Sequence, residues 1–368
     1  MLKVDVTQGV TIEGGGGILG MTIARNETSG SKYVFVYYTE ASNSTSSNRD
    51  AMTSYDPLAN RLYRYELVDN KLTNPTLFLS LPALPGPTHG GGVMTIGRDE
   101  NIYLAVGDLQ ASVGTGTQTQ AENNGNSSRP DGRSGILYVD HNGKTVLGII
   151  GDRHPLDKYY AYGIRNSFGI DFDSVTSTLW DTENGPSSGD EINLVEPGFN
   201  SGWERVSGIW EPIGYLPGSV TLNPDNLVDF DRRGRYSSPE FMWRFVVAPT
   251  DLEFYNSDKL GEKYRNDLFV ADYNYGNMYN LDLHENRTSL MLSVNLEDKI
   301  ADTPREFEPL IFTHGFGPIS SLEESPDGYL HFAVYLGGGQ GSVFNIPLKD
   351  ELNPLNIGRR FYCVCSKR

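Results

Sequence analysis

Two stretches of this chain set reactive side chains among residues too small to crowd them. The first is "THGGGVMTIGRDENIYLAVGD", residues 88–108, where His89 precedes three glycines and the run closes on Asp108. An imidazole titrates near ~6.5, so His89 has the chemistry of a general base, and Gly90, Gly91 and Gly92 leave no side chain to bar a ligand. An exposed or structural histidine fits the same residues. The second stretch is "TENGPSSGDEIN", residues 182–193, with Glu183, Asp190 and Glu191 around Asn184, Gly185 and Pro186. Ordinary turn chemistry with solvated acids explains it. So does a hard-cation site, because Ca²⁺ takes carboxylate and backbone carbonyl oxygens together.

The elements that would carry these loops are short strands. Across 368 residues, with 41 Gly and 21 Tyr, brief apolar runs are bracketed by Gly, Asn, Asp and Pro, which predicts an all-β chain. "GGILGMTIARN" (16–26) resembles "GGGVMTIGRDE" (90–100), each leading into an aromatic-rich strand. Weaker copies follow as "NSFGIDFDSVTSTLWDTENG", "APTDLEFYNSDKLGEKYRNDLFVADYNYG" and "GPISSLEESPDGYLHFAVYLGGG". Starts about 70 to 80 residues apart allow four strands and a functional loop per repeat. Five full repeats preceded by one stray strand, "MLKVDV", predict a β-propeller whose first blade is incomplete. A Gly-rich sandwich pair is the structural alternative. No composition break divides the chain, so a single propeller domain over 1–350 and a C-terminal tail over 351–368 are expected.

A formal net charge of -17 disfavours nucleic acid and anionic membranes as partners. No apolar run has the length of a membrane span, and the N-terminus lacks the pattern of a signal peptide. The two cysteines, Cys363 and Cys365, both lie in the tail, so no disulfide framework is expected. Asn26, Asn43, Asn126 and Asn286 begin N-x-Ser/Thr sequons, which point toward an extracellular, periplasmic or cell-surface location.

The motifs "THGGGVMTIGRDENIYLAVGD", "YGIRNSFGIDFD", "LWDTENGPSSGDEINLVEPGFNSGW" and "SPDGYLHFAVY", in this order over most of the chain, resemble the soluble quinoprotein glucose/sorbosone dehydrogenase family. The resemblance implies a six-bladed propeller that uses pyrroloquinoline quinone (PQQ) and Ca²⁺ to oxidise the anomeric hydroxyl of an aldose to a lactone, passing electrons to an external acceptor. By the same resemblance, His89 is the base and Asp108 the carboxylate that orients it. Arg165 and Asn166 meet the quinone, joined by Asn184, Gly185, Pro186 and the position of Asn274. The metal set it implies is Gly185, Pro186, Asp190, Glu191, Ser201 and Glu211. The sequence departs from the family pattern in "DYNYGN", where Asn274 replaces a cation, and in "GFGPISSLEE", which lacks the family's arginines. It also lacks strands that family members carry before "LKVDV". These departures keep a second reading open, a calcium-binding propeller that binds carbohydrate or protein without quinone catalysis. A calcium-propeller lactonase is a distant third.

Overall fold

The computed structural model describes residues 17–25, 30–41, 57–111, 116–146, 148–209, 224–337 and 340–346. Five sheets follow one another along the chain. Sheet I is a four-stranded meander of Ile18–Arg25, Lys32–Ala41, Pro57–Val68 and Lys71–Leu81. Sheet II runs through Met94–Ile96, Ile102–Val106, Gly135–Val139 and Tyr159–Tyr162, and gains Phe199–Asn200 and Arg235–Tyr236 at its edge. Sheet III comprises Ser167–Phe172, Leu179–Glu183, Asp190–Val195, Phe241–Trp243 and the short Ile300–Ala301. Sheet IV holds Pro249–Tyr255, Asp267–Asp272, Asn277–Leu281 and Ile311–His314; sheet V holds Ile319–Glu324, Leu330–Gly337 and Gln340–Asn345.

Each repeat of the sequence thus becomes one sheet. Its glycine- or turn-marked lead-in becomes the first strand. Sheets II and III exceed four strands because two long connections turn back and add parallel edge strands: Phe199–Asn200 pairs with Tyr162 and Arg235–Tyr236, and Ile300–Ala301 pairs with Met242–Trp243. Sheet V shows three among the described residues. The stray strand expected at 1–6 and the tail at 351–368 lie outside the described residues.

The described chain forms two compact units. The first contains sheets I and II and draws on Met1–Ser167, Glu196–Val206 and Trp210–Ser237. Its core joins Phe35, Tyr37, Leu62 and Leu79 of sheet I to Ile102, Leu104, Val106, Leu137 and Val139 of sheet II. Alternation along the strand sends Phe35 and Tyr37 to one face, while "IYLAV" and "GILYV" are buried throughout because they lie in the middle of their sheet. The second unit contains sheets III to V. Trp180, Phe241 and Trp243 of sheet III pack on Leu252, Phe254 and Val270 of sheet IV, and Tyr255 and Phe269 of sheet IV on Leu322, Phe332 and Val334 of sheet V. Each large apolar side chain buried this way contributes about 1.5–3 kcal/mol.

Candidate active site

In the first unit the loop carrying His89 crosses the start of sheet II. Gly92 donates its N–H to Ala105 O at 2.8 Å. A Cβ on Gly91 would lie 2.3 Å from Ala105 O, and one on Gly92 would lie 2.6 Å from the Leu19 backbone. Gly91 and Gly92 are therefore needed for close contact between backbones, a second reason for the glycine run beside ligand access. His89 itself has φ +60°, a left-handed conformation uncommon for a non-glycine residue.

The imidazole Nδ1 of His89 lies 2.6 Å from Asp108 Oδ1. A carboxylate partner assigns the proton to Nδ1, which leaves Nε2 as the ring nitrogen able to receive one. Asp108 is held on every side. Its Oδ1 also accepts the Gln110 N–H at 2.8 Å, and its Oδ2 accepts Trp203 Nε1–H at 2.8 Å. The Asp108 N–H donates to Arg165 O at 2.9 Å, which ties the "GIRN" segment to the same point. The Asp108 side chain is 2% exposed and that of His89 15%. The Arg165 guanidinium lies 5.3 Å from the centre of the Trp203 ring, within cation–π range, and Asn166 is buried beside it in sequence. His89, Asp108 and Arg165 are thus brought together as expected.

Trp203 escaped the sequence reading. The motif "GFNSGW" contained it, but an indole in a Gly-, Asn- and Ser-rich loop gives no hint of its partner. The structure supplies the reason for its position. Asn123 and Asn200 exchange amide hydrogen bonds of 2.9 and 2.8 Å, Asn123 also donates to Trp203 O at 2.8 Å, and Trp203 N–H donates to Gly163 O at 3.0 Å. The buried Ser201 donates its N–H to Tyr162 O at 3.0 Å in this same loop.

The acidic turn belongs to the second unit and reads differently. Asp190 is fully buried; its Oδ1 accepts Gly185 N–H at 2.8 Å, and its Oδ2 accepts the N–H groups of Val247 and Ala248 at 2.7 Å each. Glu191, also buried, accepts the Gly208 N–H and, at 3.2 Å, Asn193 Nδ2–H. Asn184 donates its amide to Pro249 O at 2.8 Å, Pro186 is exposed, and the exposed Asn274 donates to Val246 O at 2.9 Å. A Cβ on Gly185 would lie 2.0 Å from Ser188 O, so this turn needs its glycine.

A calcium ion takes six to eight oxygens. Here the carboxylates of the proposed set already accept amide protons, and among the described residues no three His, Cys, Asp or Glu side chains are placed to hold a metal. Ser201 lies in the first unit, and Glu211 falls outside the described residues. The Asp190 and Glu191 carboxylates, committed to amide protons, do not fit a calcium ion's ligand set. The first-unit donors do suit an oxygen-rich anionic cofactor, with a permanent guanidinium charge, a buried amide and a base oriented by a carboxylate.

A second set of acids also went unnoticed in the sequence. Asp171, Asp251, Glu253 and Glu323 occupy the first strands of sheets III, IV and V. Asp171 Oδ2 accepts Phe254 N–H at 3.0 Å, Asp251 Oδ2 accepts Leu322 N–H at 2.8 Å, and Glu253 Oε1 accepts Glu324 N–H at 3.0 Å. Although partly accessible, these carboxylates are crowded by protein. Burial pushes Asp251 up to about 8 against the opposing amide bonds, and burial with mutual repulsion raises Asp171 and Glu253. The alternating acids of "GIDFD" and "TDLEF" were the available signal.

Comparison with known proteins is consistent with this arrangement. The chain is 28% identical over 232 residues to the uncharacterised protein slr1608 of Synechocystis, covering 61% of this chain and 50% of that protein. It is 26% identical over 277 residues to aldose sugar dehydrogenase YliI of Escherichia coli, covering 72% and 62%. The chain therefore spans between half and two thirds of these relatives. Its structure resembles the PQQ-bound form of the aldose sugar dehydrogenase of Streptomyces coelicolor with a TM-score of 0.60, at 20% identity, over 92% of this chain and 81% of that one. That likeness shows the fold, all-β and of β-propeller type. The family model described as Glucose / Sorbosone dehydrogenase matches residues 2–340, and the chain belongs to that family.

Proposed function

We propose that this protein is a sugar oxidoreductase that oxidises the anomeric hydroxyl of an aldose to a lactone, with PQQ as hydride acceptor and an external molecule reoxidising the cofactor. The observation that carries the reading is the 2.6 Å contact between His89 Nδ1 and the buried Asp108 carboxylate, in a chain of this family. His89 Nε2 takes the proton of the C1 hydroxyl, and Asp108 stabilises the imidazolium that results. When bound, the quinone would supply a two-electron sink for the hydride that leaves C1. Arg165 and Asn166 would hold it, the guanidinium offsetting negative charge and the amide hydrogen-bonding an oxygen. No step is assigned to calcium, because the carboxylates do not fit it.

One observation favours a second reading. Asn274, where the family pattern has a cation, is exposed and donates to a backbone carbonyl, so the positive complement for the cofactor's carboxylates is thin. A propeller that binds sugar without quinone chemistry would show this feature. Titrating the protein with PQQ while following aldose-dependent reduction of an artificial dye separates the two. The oxidoreductase reading expects saturable, sugar-dependent dye reduction. Sugar binding by calorimetry without any PQQ-dependent turnover would leave the second reading standing.

A further inference from the structure

We infer that Trp203 is a positioning residue for the His89–Asp108 pair, acting through its indole N–H on the carboxylate oxygen that faces away from the imidazole. The inference rests on the reading of His89 as the base. Asp108 has two oxygens with distinct tasks: Oδ1 meets His89 Nδ1 at 2.6 Å, and Oδ2 receives Trp203 Nε1–H at 2.8 Å. A carboxylate anchored at one oxygen alone can swing about its Cβ–Cγ bond. Anchored at both, it presents a fixed plane to the ring.

The anchor is itself well anchored. Trp203 is fixed by its own N–H on Gly163 O and by Asn123 on its carbonyl, and the Asn123–Asn200 exchange holds the loop from both sides. Gly202 N–H adds a 3.0 Å bond to Asn200 Oδ1. Asp108 faces the imidazole, the Arg165 guanidinium lies on the indole face, and Glu204, next to Trp203 in the chain, donates its N–H to Glu122 O and accepts from Gln118. Trp203 therefore touches both the group that orients the base and the cation beside it.

A hydrogen bond donated to Oδ2 draws negative charge away from Oδ1. Losing it concentrates charge on Asp108, favours the protonated imidazole and moves the ring's protonation to higher pH. A residue that served packing alone would leave that midpoint where it was. Replacing the indole by a phenyl ring removes the N–H and keeps an aromatic face for Arg165, so Trp203→Phe isolates the hydrogen bond.

The test uses the full chain without cofactor, labelled in its histidine rings, with the His89 signal assigned by its loss in His89→Ala and its titration followed by NMR. Trp203→Phe is expected to raise the midpoint by about half a pH unit or more, the size that one charge-assisted hydrogen bond implies. In an Asp108→Asn background the same change should have no effect. An unmoved midpoint in Trp203→Phe, or an equal shift with and without Asp108, overturns the inference. Should Trp203→Phe not fold, the unaltered protein still decides: the Trp203 indole N–H signal must titrate with the His89 midpoint, and a pH-independent signal overturns it. None of these readouts needs sugar oxidation. A His89→Ala protein with undiminished turnover would refute the functional reading while leaving the hydrogen-bond result to stand by itself.

Discussion

Asp108 and Asp190 are both buried carboxylates in Gly-rich turns, each accepting three hydrogen bonds, and they serve different ends. Asp190 accepts from three backbone amides, Gly185, Val247 and Ala248, so each bond fixes the path of the chain. Asp108 accepts from one amide and two side-chain rings, one of which can gain and lose a proton. The lesson is that a carboxylate's chemistry follows from its partners. Backbone donors make it architecture; an imidazole makes it part of a proton-transfer device.

The contrast is broken most severely at the base. His89→Ala should lower turnover of PQQ-reconstituted protein on aldoses by ~10²- to 10⁴-fold with an unchanged melting temperature, measured by dye reduction and circular dichroism. Asp190→Ala should do the opposite in kind. It leaves three buried amides without an acceptor, at a cost of about 1–3 kcal/mol for each one that water cannot reach. The melting temperature should drop accordingly, by ~1–2 °C per kcal/mol in a chain of this size, at ~2.1 cal/mol/K of unfolding entropy per residue.

A smaller effect comes from the acids of the second unit. Asp251 is raised by burial to about 8, Asp171 and Glu253 are raised as well, and in the first unit burial lifts Glu122 to about 7. A carboxyl group whose folded value exceeds its unfolded value near ~4 contributes stability at low pH that is lost as pH rises through the folded value. Asp173 and Asp99 are lowered, because hydrogen bonds from Arg287 and Tyr138 respectively overcome burial, so their contributions are already complete above pH ~4. Between pH 5 and 8 the melting temperature should therefore fall, by a few degrees at ~1–2 °C per kcal/mol. Asp251→Asn should flatten that slope; an equally steep slope in the variant would show that the acid ladder is not its source.

The smallest expected effect is none. Because the Asp190 and Glu191 carboxylates accept amide protons, excess EGTA should leave the melting temperature of the cofactor-free protein unchanged. A clear drop would show that the acidic turn holds a cation after all.

Much of this was legible in the sequence. The repeated lead-ins marked where the sheets begin, because strand crossings as tight as that of Gly20 and Gly92 tolerate no side chain. His89 and Asp108 emerged from motif resemblance and meet as that resemblance implied. The acidic turn was read toward calcium, and its carboxylates face amides, since aspartates aimed at a cation and aspartates aimed at amides share one sequence pattern. What separates them is the return of residues 247 and 248, more than fifty positions later, to face Asp190. Trp203 was hidden for the same reason: its bond to Asp108 closes over a long chain separation that no local pattern encodes.

The central claim, that Asp108 serves the chemistry of His89 and Asp190 serves the fold, is tested most directly by the turnover of Asp108→Asn measured on protein of known melting temperature. An amide at this position keeps the shape and can still accept from Trp203, yet it no longer offers the imidazole a negative charge. The account predicts aldose-dependent turnover down by ~10²-fold or more with a melting temperature close to that of the parent. Turnover near the parental rate in a folded Asp108→Asn protein would contradict it.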